Sequence, residues 1–475
     1  MRFGRVTVLG VSMASFLGAA VLAQAPKQPD WPTLEAEIMQ RFQDVLRFDT
    51  SNPPGNEHIV AEYLKAVFDK EGIPAQIFAL DPSRSNVVAR LKGNGRKKPL
   101  LIMGHSDVVT VDAKKWTFPP FSATRDHGWV YARGTVDDKD NLTGGLMTML
   151  LLKRMNVPLD RDVIFLSESG EEGSSNFGMQ FMVSQHYPEI DAEYCLAEGG
   201  GAVRVGGAVK YMTVETLEKI PRGIELVAHG ISGHGSIPLK SNAVVHLAGA
   251  VFKLGQWRPE VRFNETTGTY FRGLASVAAP EVAKHYRDVL STDPTLRAAA
   301  DDWLFENEPL HSSMLRTSVS PNIFAGGYRS NVIPSEAKAT LDVRALPDED
   351  PVKFLEQIKA VVNDPAVDVH YTAQNVRPVS AFDARLDSEV YKTLESVATR
   401  VYNTVTLPTM STGATDMSPL RAKGVQCYGI GAAIDSEDGP KGFGMHSDQE
   451  RLLESEIYRF VRFNYEAVVE LARAR

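Results

Sequence analysis

The chain has little cysteine and no surplus of positive charge. Only two cysteines, Cys195 and Cys427, occur among its 475 residues. Two cysteines exclude a disulfide framework, and any metal must therefore be held by histidine and carboxylate side chains. Each cysteine lies in an apolar, strand-like segment, which predicts a buried thiol. The formal net charge of −8 argues against a nucleic-acid partner, because it leaves no excess of lysine or arginine to neutralise phosphates.

Long hydrophobic runs are also missing, except at the N-terminus. Arg2 and Arg5 precede an apolar run from Val6 to about Leu22, and Ala23-Gln24-Ala25 follows as a small-x-small site suited to a signal peptidase. The run is short for a membrane span and has no charged stop beyond it. We therefore predict that residues 1–25 are a signal peptide, that the protein is secreted or periplasmic, and that no stable membrane span remains. The alternative is an uncleaved anchor helix.

The order of apolar and polar segments indicates the fold class. Short apolar strands, such as Leu100–Met103, Gly128–Ala132 and Val163–Leu166, alternate with helical patterns, such as the one from about Leu142 to Met155. This alternation predicts an α/β sheet covered on both faces. From about Ile224 to Tyr371 the order is strand, helix, strand, strand, helix, strand, which suits a small α+β sandwich. Residues 256–310 are helical and resemble an insertion in that sandwich. The sequence thus predicts a discontinuous main domain with an inserted lid domain.

Five polar clusters carry the candidate chemistry, and most of them directly follow an apolar strand. Because ligands of an α/β sheet bind at the carboxyl ends of its strands, we expect these clusters to converge in space. The clusters are His105-Ser106-Asp107, Arg133 to Lys139 with the pair Asp137-Asp138, Glu171-Glu172, Glu198-Gly199-Gly200-Gly201, and Met445-His446-Ser447-Asp448.

Each cluster alone also fits an ordinary structural role. The alternatives are a structural histidine at each His, a helix N-cap at Asp137-Asp138, a solvated acidic loop at Glu171-Glu172 and a flexible turn after Glu198. Together, two histidines and several carboxylates without cysteine suit catalytic zinc, or else manganese or cobalt. Sites with two metals usually hold them about 3.5–4 Å apart.

These motifs resemble those of the di-zinc carboxypeptidase/aminoacylase family, peptidase family M20, and most of all its carboxypeptidase S-like branch. The resemblance spans about residues 40 to 460 and implies two zinc ions per subunit. It implies that Asp107 orients His105, that Glu171 is the general base, and that the peptide between Asp137 and Asp138 is cis. The implied ligands are His105, Asp137 and Glu198 for one zinc, and Asp137, Glu172 and His446 for the other.

The predicted lid resembles the family too. Ser232 to Pro238 is similar to the motif whose histidine, here His234, reaches the active site and steadies the oxyanion. Asn331 and Arg344 lie in segments similar to those whose Asn and Arg face the substrate, and Arg344 would bind a carboxylate with two hydrogen bonds. The alternative for Arg344 is a salt bridge inside the lid. Gly413 fits a backbone contact to substrate.

The resemblance implies a mixed-sheet catalytic domain of residues 30–220 and 376–475, and an inserted α+β sandwich lid of the dimerisation type at residues 221–375. The chain departs from the family at Asp140-Asn141, where glycine is frequent, and at Ser167 to Gly170, where an Asp before the Glu pair is common. The helical insertion puts the usual dimer contact in doubt, so a homodimer is an open possibility.

The predicted function is cleavage of an amide or peptide bond next to a free carboxylate, in a small peptide or an N-acyl amino acid. The alternatives are an aminopeptidase with the same site chemistry and a non-catalytic homologue that binds peptides or amino acids. A metal-free hydrolase has less support, because the chain has no G-x-S-x-G nucleophile motif.

Overall fold

The computed structural model describes residues 28–372 and 384–474. The predicted signal peptide, residues 1–25, and the start of the predicted second catalytic segment, residues 376–383, lie outside the described residues. The helices are α1 (Trp31–Leu46), α2 (His58–Lys70), α3 (Lys139–Arg154), α4 (Met179–Gln185), α5 (Tyr187–Ile190), α6 (Ala243–Gln256), α7 (Glu265–Val277), α8 (Pro280–Asp288), α9 (Pro294–Asn307), α10 (Pro309–Met314), α11 (Pro351–Val362), α12 (Glu389–Tyr402), α13 (Met417–Ala422), α14 (Asp438–Lys441) and α15 (Glu454–Ala472).

The strands form one large sheet, a smaller antiparallel sheet and three minor sheets. The strands are β1 (Ser51–Asn52), β2 (Ala75–Asp81), β3 (Arg84–Leu91), β4 (Leu100–His105), β5 (Val108–Val109), β6 (Thr124–Asp126), β7 (Trp129–Tyr131), β8 (Val163–Glu168), β9 (Tyr194–Ala197), β10 (Gly201–Val205), β11 (Ala208–Glu218), β12 (Ile220–His229), β13 (Gly233–His234), β14 (Ser318–Gly326), β15 (Val332–Ile333), β16 (Glu336–Ala345), β17 (Val367–Tyr371), β18 (Thr406–Ser411), β19 (Gln426–Gly429), β20 (Ile434–Asp435) and β21 (Arg451–Leu453).

The main sheet is mixed, as the sequence predicts. Its strand order is β2-β3-β8-β4-β9-β19-β11-β10-β20, and β18 pairs with β11. The central strands β8, β4, β9 and β19 are parallel to one another. Since β4, β8 and β9 are neighbours, their carboxyl ends meet at one edge of the sheet, where the predicted site residues follow them.

Helices cover both faces of this sheet. One apolar core packs residues of α1, α2, α3, α12 and α15 against it. The core on the other face contains residues of α4 and α13 together with both cysteines. Cys195 and Cys427 are free, buried thiols, as predicted. The α/β class with a doubly covered mixed sheet is therefore confirmed.

One predicted strand belongs elsewhere. The sequence places a strand at 128–132 among the strands that alternate with helices. In the structure that segment is β7, which pairs with β6 and β21 in a three-stranded side sheet. Asp137 therefore reaches the edge of the main sheet from the loop that begins α3, which starts at Lys139 rather than at the expected Leu142.

Residues 220–371 contain a second sheet, which we call the inserted sandwich. Its antiparallel strand order is β14-β16-β12-β17, and α6 and α11 pack on one face around Phe354 and Ile358. Local signals fix its helices. Asn242 caps α6 through Val244, and Asp350 caps α11, which ends at Asn363 in a left-handed conformation.

The helical segment α7–α10 lies outside the core of the sandwich. The sequence predicts this segment to be an insertion in the sandwich. In the structure its buried side chains, such as Phe271, form a core with Leu217 of β11, Leu407 of β18 and Leu346. This core is separate from that of the sandwich. The segment therefore packs against the main sheet and against the two chain crossings near Leu217 and Leu346.

No helix within residues 28–372 and 384–474 combines the length and the apolar character that a membrane span requires.

Candidate metal centre and active site

Three of the predicted ligands follow adjacent parallel strands. His105 is the last residue of β4, Glu198 comes directly after β9, and Glu172 lies four residues after β8. Asp137 comes from the loop before α3, and His446 from the loop between α14 and β21. The sheet edge thus gathers five side chains that are far apart in sequence.

These side chains form two triads that share one residue. The nitrogen and oxygen ligand atoms of His105, Asp137 and Glu198 lie within 4.8 Å of one another, and so do those of Asp137, Glu172 and His446. Asp137 is common to both triads, so one carboxylate can contact two cations. These are the two sets that the resemblance implies.

The carboxylate of Asp137 divides its oxygens between the two histidines. Its Oδ1 lies 3.0 Å from His105 Nε2, and its Oδ2 lies 2.9 Å from His446 Nε2. Glu198 Oε2 is 3.7 Å from His105 Nε2, and Glu172 Oε1 is 3.0 Å from His446 Nε2. The peptide between Asp137 and Asp138 is cis, as the resemblance implies.

The electrostatics of this edge favour bound positive charge. Burial acts to lower the pKa of His105, but its hydrogen bonds to Asp137 and Glu198 outweigh that effect and raise it above the ordinary value. Hydrogen bonds to Asp137 and Glu172 raise the pKa of His446 to about 10. Burial, followed by the charges of Glu198 and Asp416, raises the pKa of Glu171 well above its usual range.

The donor set fits two divalent cations. Imidazole nitrogens and carboxylate oxygens, with no thiolate, are ligands for zinc and also for manganese or cobalt. The carboxylates lie close to histidines whose pKa values are raised. Metal ligands must be deprotonated, so cations that bind here would replace the protons held between these groups.

Asp107 orients the site in a way that the sequence did not predict. The expected partner of His105 is the Asp107 carboxylate, but its Oδ1 lies 3.7 Å from His105 Nδ1. The Asp107 backbone carbonyl accepts that contact instead, at 2.9 Å. The carboxylate is fully buried and accepts hydrogen bonds from the backbone N–H groups of Gly170, Glu171 and Glu172, at 2.9, 3.1 and 3.1 Å.

The carboxylate of Asp107 accepts a fourth hydrogen bond from Asn52 Nδ2, at 2.8 Å. Sequence reasoning missed Asn52. The one sequence feature that could have drawn attention to Asn52 is its position directly before a Pro-Pro-Gly turn. Asp107 thus holds the loop that carries both glutamates, while its carbonyl fixes the imidazole of His105.

Asp138 does not act as a side-chain helix cap, and the glycines after Glu198 do more than form a flexible turn. Asp138 is at the N-cap of α3 but makes no side-chain cap bond. Its Oδ2 accepts from the His105 N–H at 3.2 Å. Gly199 has a φ of +110°, and a Cβ there would lie 2.1 Å from Glu215 Oε2. The glycine run is therefore a close backbone approach that places Glu198.

The residues of the predicted lid lie in the inserted sandwich. Among the described residues, His234, Asn331 and Arg344 make no hydrogen bond or ion pair with the five ligand side chains. His234 is exposed, and its Nδ1 accepts from the Ser236 N–H at 3.1 Å. Its strand β13 pairs with β15, directly after Asn331.

Arg344 and Gly413 already have partners inside the chain. Arg344 makes two hydrogen bonds with the carboxylate of Asp342, at 2.9 and 3.2 Å. This is the salt bridge within the lid that the sequence leaves open. The Arg344 side chain is only partly buried. The N–H of Gly413 donates to Ser411 Oγ at 3.0 Å.

Comparison with known proteins agrees with this fold. Residues 101–470 match the model of Peptidase family M20/M25/M40. This match covers more than half of the chain, and the protein therefore belongs to that family. It is accordingly a hydrolase of the metallopeptidase class.

Among curated relatives, a probable carboxypeptidase S-like protein of Dictyostelium discoideum is 29% identical over 67% of this chain and 62% of the relative. The human N-fatty-acyl-amino acid synthase/hydrolase is 31% identical over 67% of this chain and 64% of the relative. The chain thus covers slightly less than two thirds of these two proteins. A probable succinyl-diaminopimelate desuccinylase of Staphylococcus aureus is 28% identical over 77% of this chain and 82% of the relative.

Solved structures share the fold. An M20 family metallo-carboxypeptidase from Sulfolobus solfataricus superposes with a TM-score of 0.67 at 21% identity, covering 91% of this chain and 98% of the other. Human carnosine dipeptidase 1 has a TM-score of 0.62 at 12% identity, covering 93% of this chain and 97% of the other.

Proposed function

We propose that this protein is a secreted di-zinc hydrolase that cleaves an amide bond next to a free carboxylate, as a carboxypeptidase, a dipeptidase or an N-acyl-amino-acid hydrolase does. The observation that carries the proposal is the pair of triads that share Asp137. The names of the carboxypeptidase S-like and N-fatty-acyl-amino acid relatives support the same substrate range. Export is inferred from the leader-like sequence of residues 1–25.

In this proposal His105, Asp137 and Glu198 hold one zinc, and Asp137, Glu172 and His446 hold the other. Manganese or cobalt are possible substitutes. When bound, such a pair of cations lowers the pKa of water and polarises the scissile carbonyl.

Glu171 carries the proton transfers. It lies next to the ligand Glu172 on the loop that Asp107 holds. A carboxylate at this position takes a proton from the attacking water and delivers it to the departing amine. Its pKa is raised above the usual range of a carboxyl, chiefly by burial, which makes its carboxylate a stronger base.

The lid residues supply orientation. His234 Nε2 would donate to the developing oxyanion, since Ser236 already engages Nδ1. Arg344 would bind the substrate carboxylate, and Asn331 and Gly413 would add polar contacts. Within residues 28–372 and 384–474, His234 and Arg344 form no hydrogen bond or ion pair with the triads. We therefore infer that the sandwich closes on the main domain or that a second subunit supplies these residues.

The test is amine release from dipeptides and N-acyl amino acids, run beside their carboxyl-amidated versions, with and without chelator. We expect chelator-sensitive release from the free-carboxylate substrates alone. Release from the amidated forms would instead indicate an aminopeptidase. Binding without turnover of any amide would favour the non-catalytic homologue.

A further inference from the structure

The loop that delivers Asp137 is held by a single buried carboxylate. Glu450 Oε2 accepts from Arg133 Nη1 at 2.7 Å and from the Gly134 N–H at 3.0 Å. Glu450 Oε1 accepts from the Val136 N–H at 2.9 Å and from Thr135 Oγ1 at 3.4 Å. Every residue from 133 to 136 therefore donates to the same side chain.

Glu450 also connects the segments that carry two ligands of the second triad, Asp137 and His446. It lies four residues after His446 and directly before β21, which pairs with β7. The Ala132 N–H donates to the Glu450 backbone carbonyl at 3.2 Å. Glu450 thus connects the segment that carries His446 with the loop that carries Asp137, beside the pairing of β21 with β7.

The cost of burying these charges argues for a specific role. Glu450 is fully buried and Arg133 is 2% exposed. Burying an ion pair gains little net stability, even when it is fully hydrogen-bonded, and an apolar pair of similar volume often serves as well. An apolar pair, however, would leave the Gly134 and Val136 N–H groups without their acceptor, and the loop before Asp137 would lose its fixed path.

We propose that Glu450 is a positioning residue, which fixes the loop 133–136 so that the two oxygens of Asp137 face His105 and His446 at the same time. This inference rests on the proposed function, because it assumes that the triads hold cations. It resembles what Asp107 does for the loop of Glu171 and Glu172: in each case one buried carboxylate gathers the backbone N–H groups of a loop that carries a ligand.

The test replaces Glu450 with glutamine. In Glu450→Gln, one carboxylate oxygen becomes an NH2 group that faces the donors of Arg133, Gly134 or Val136. The matched control is Glu456→Gln, which alters a buried glutamate of α15 that pairs with Arg459 of the same helix and with Arg204 of β10. Among the described residues, Glu456 makes no hydrogen bond to residues 132–137. Both variants and the parent are titrated with cobalt(II), and the visible absorption spectrum is recorded at each step.

We expect the parent and Glu456→Gln to bind two cobalt ions with the same spectra. We expect Glu450→Gln to bind at least one ion ten-fold or more weakly, in the range typical for partners that orient metal ligands, with a changed absorption band. A folded Glu450→Gln with two parent-like affinities and an unchanged spectrum would overturn the inference.

Two further outcomes are kept apart by the design. If the parent binds no cobalt, the proposed function fails rather than the role of Glu450. If Glu450→Gln does not fold, the double variant Arg133→Met with Glu450→Gln carries the test, because it leaves no buried charge unpaired. The same weakened binding is expected there, and parent-like binding would refute the inference.

Discussion

The Asp107 carboxylate accepts a hydrogen bond from the backbone N–H of Glu172 through Oδ2 at 3.1 Å, whereas the contact of Asp107 with the His105 imidazole is made by its backbone carbonyl. Asp107 is an anchor for a loop. Its replacement should therefore disturb two glutamates at once, even though it leaves His105 with its carbonyl partner.

For Asp107→Asn, we expect kcat/KM to fall about 10- to 100-fold, as for other groups that orient ligands. The carboxylate now accepts four hydrogen bonds. In the variant, the amide NH2 would face at least one of these four N–H donors and could not accept its hydrogen bond. Asp112→Asn is the control, since Asp112 caps only an exposed turn through Lys114. Steady-state kinetics and metal content measure the effect. Equal activity of both variants would contradict the anchoring role.

Glu171 and Glu172 are adjacent and should respond differently to substitution. Glu171→Gln should lower kcat about 10²- to 10⁴-fold while both cations are retained. Glu172→Gln should lose affinity for one cation, because its Oε1 belongs to the second triad. Turnover and metal stoichiometry, measured together, distinguish the roles. Near-normal turnover of metal-loaded Glu171→Gln would exclude it as the general base.

If Arg344 binds the substrate carboxylate, it must give up its hydrogen bonds to the Asp342 carboxylate. Arg344→Met should raise KM about ten-fold or more for substrates with a free carboxylate, because a charge-assisted hydrogen bond is lost. Asp342→Asn should lower that KM a few-fold, since the competing anion is removed. Carboxyl-amidated substrates are the control and should respond to neither change. A KM that ignores both variants would leave Arg344 as a structural residue.

Lys219 should make stability depend on pH. It is fully buried at the crossing between β11 and β12, and its Nζ bonds to Ser313 and Ser318. Burial, followed by the charges of Arg344 and Arg316 and opposed by that of Asp342, lowers its pKa to about 7.

The unfolded chain, with an ordinary lysine pKa of about 10.4, therefore binds more protons than the folded chain between pH 7 and that value. Stability should rise with pH across this range, by at most about 1.4 kcal/mol per unit. Below pH 7 both states are protonated and the dependence ends. Lys219→Met should remove the rise, which thermal unfolding at several pH values would show. An identical pH profile in both proteins would refute the shift.

The sequence allowed the fold class and the convergence of the ligands to be predicted for one physical reason. His105, Glu172 and Glu198 follow apolar strands, and β8, β4 and β9 are parallel neighbours, so their ends must meet. Asp137 was placed correctly near them, although the strand before it belongs to a side sheet. Its position depends on contacts with Glu450, which no local pattern reveals.

Other features depended on partners distant in sequence. The hairpin of β2 and β3 was missed because β3 begins with polar residues that are nevertheless buried. Arg84 is there because it pairs with the buried Glu57, at 2.6 and 2.7 Å. The packing of α7–α10 on β18 was equally hidden, since an amphipathic pattern shows that a helix has an apolar face but not which surface covers it.

The shared carboxylate of Asp137 has a consequence for how cations load. Each oxygen faces a different triad, so an ion at one triad changes the charge and the orientation of the ligand offered to the other. The two binding events are then thermodynamically linked. By whatever factor the first ion alters the affinity for the second, the second alters the affinity for the first by the same factor. A single carboxylate thereby couples the binding of the two ions. A stepwise titration would show whether this cooperativity is positive or negative.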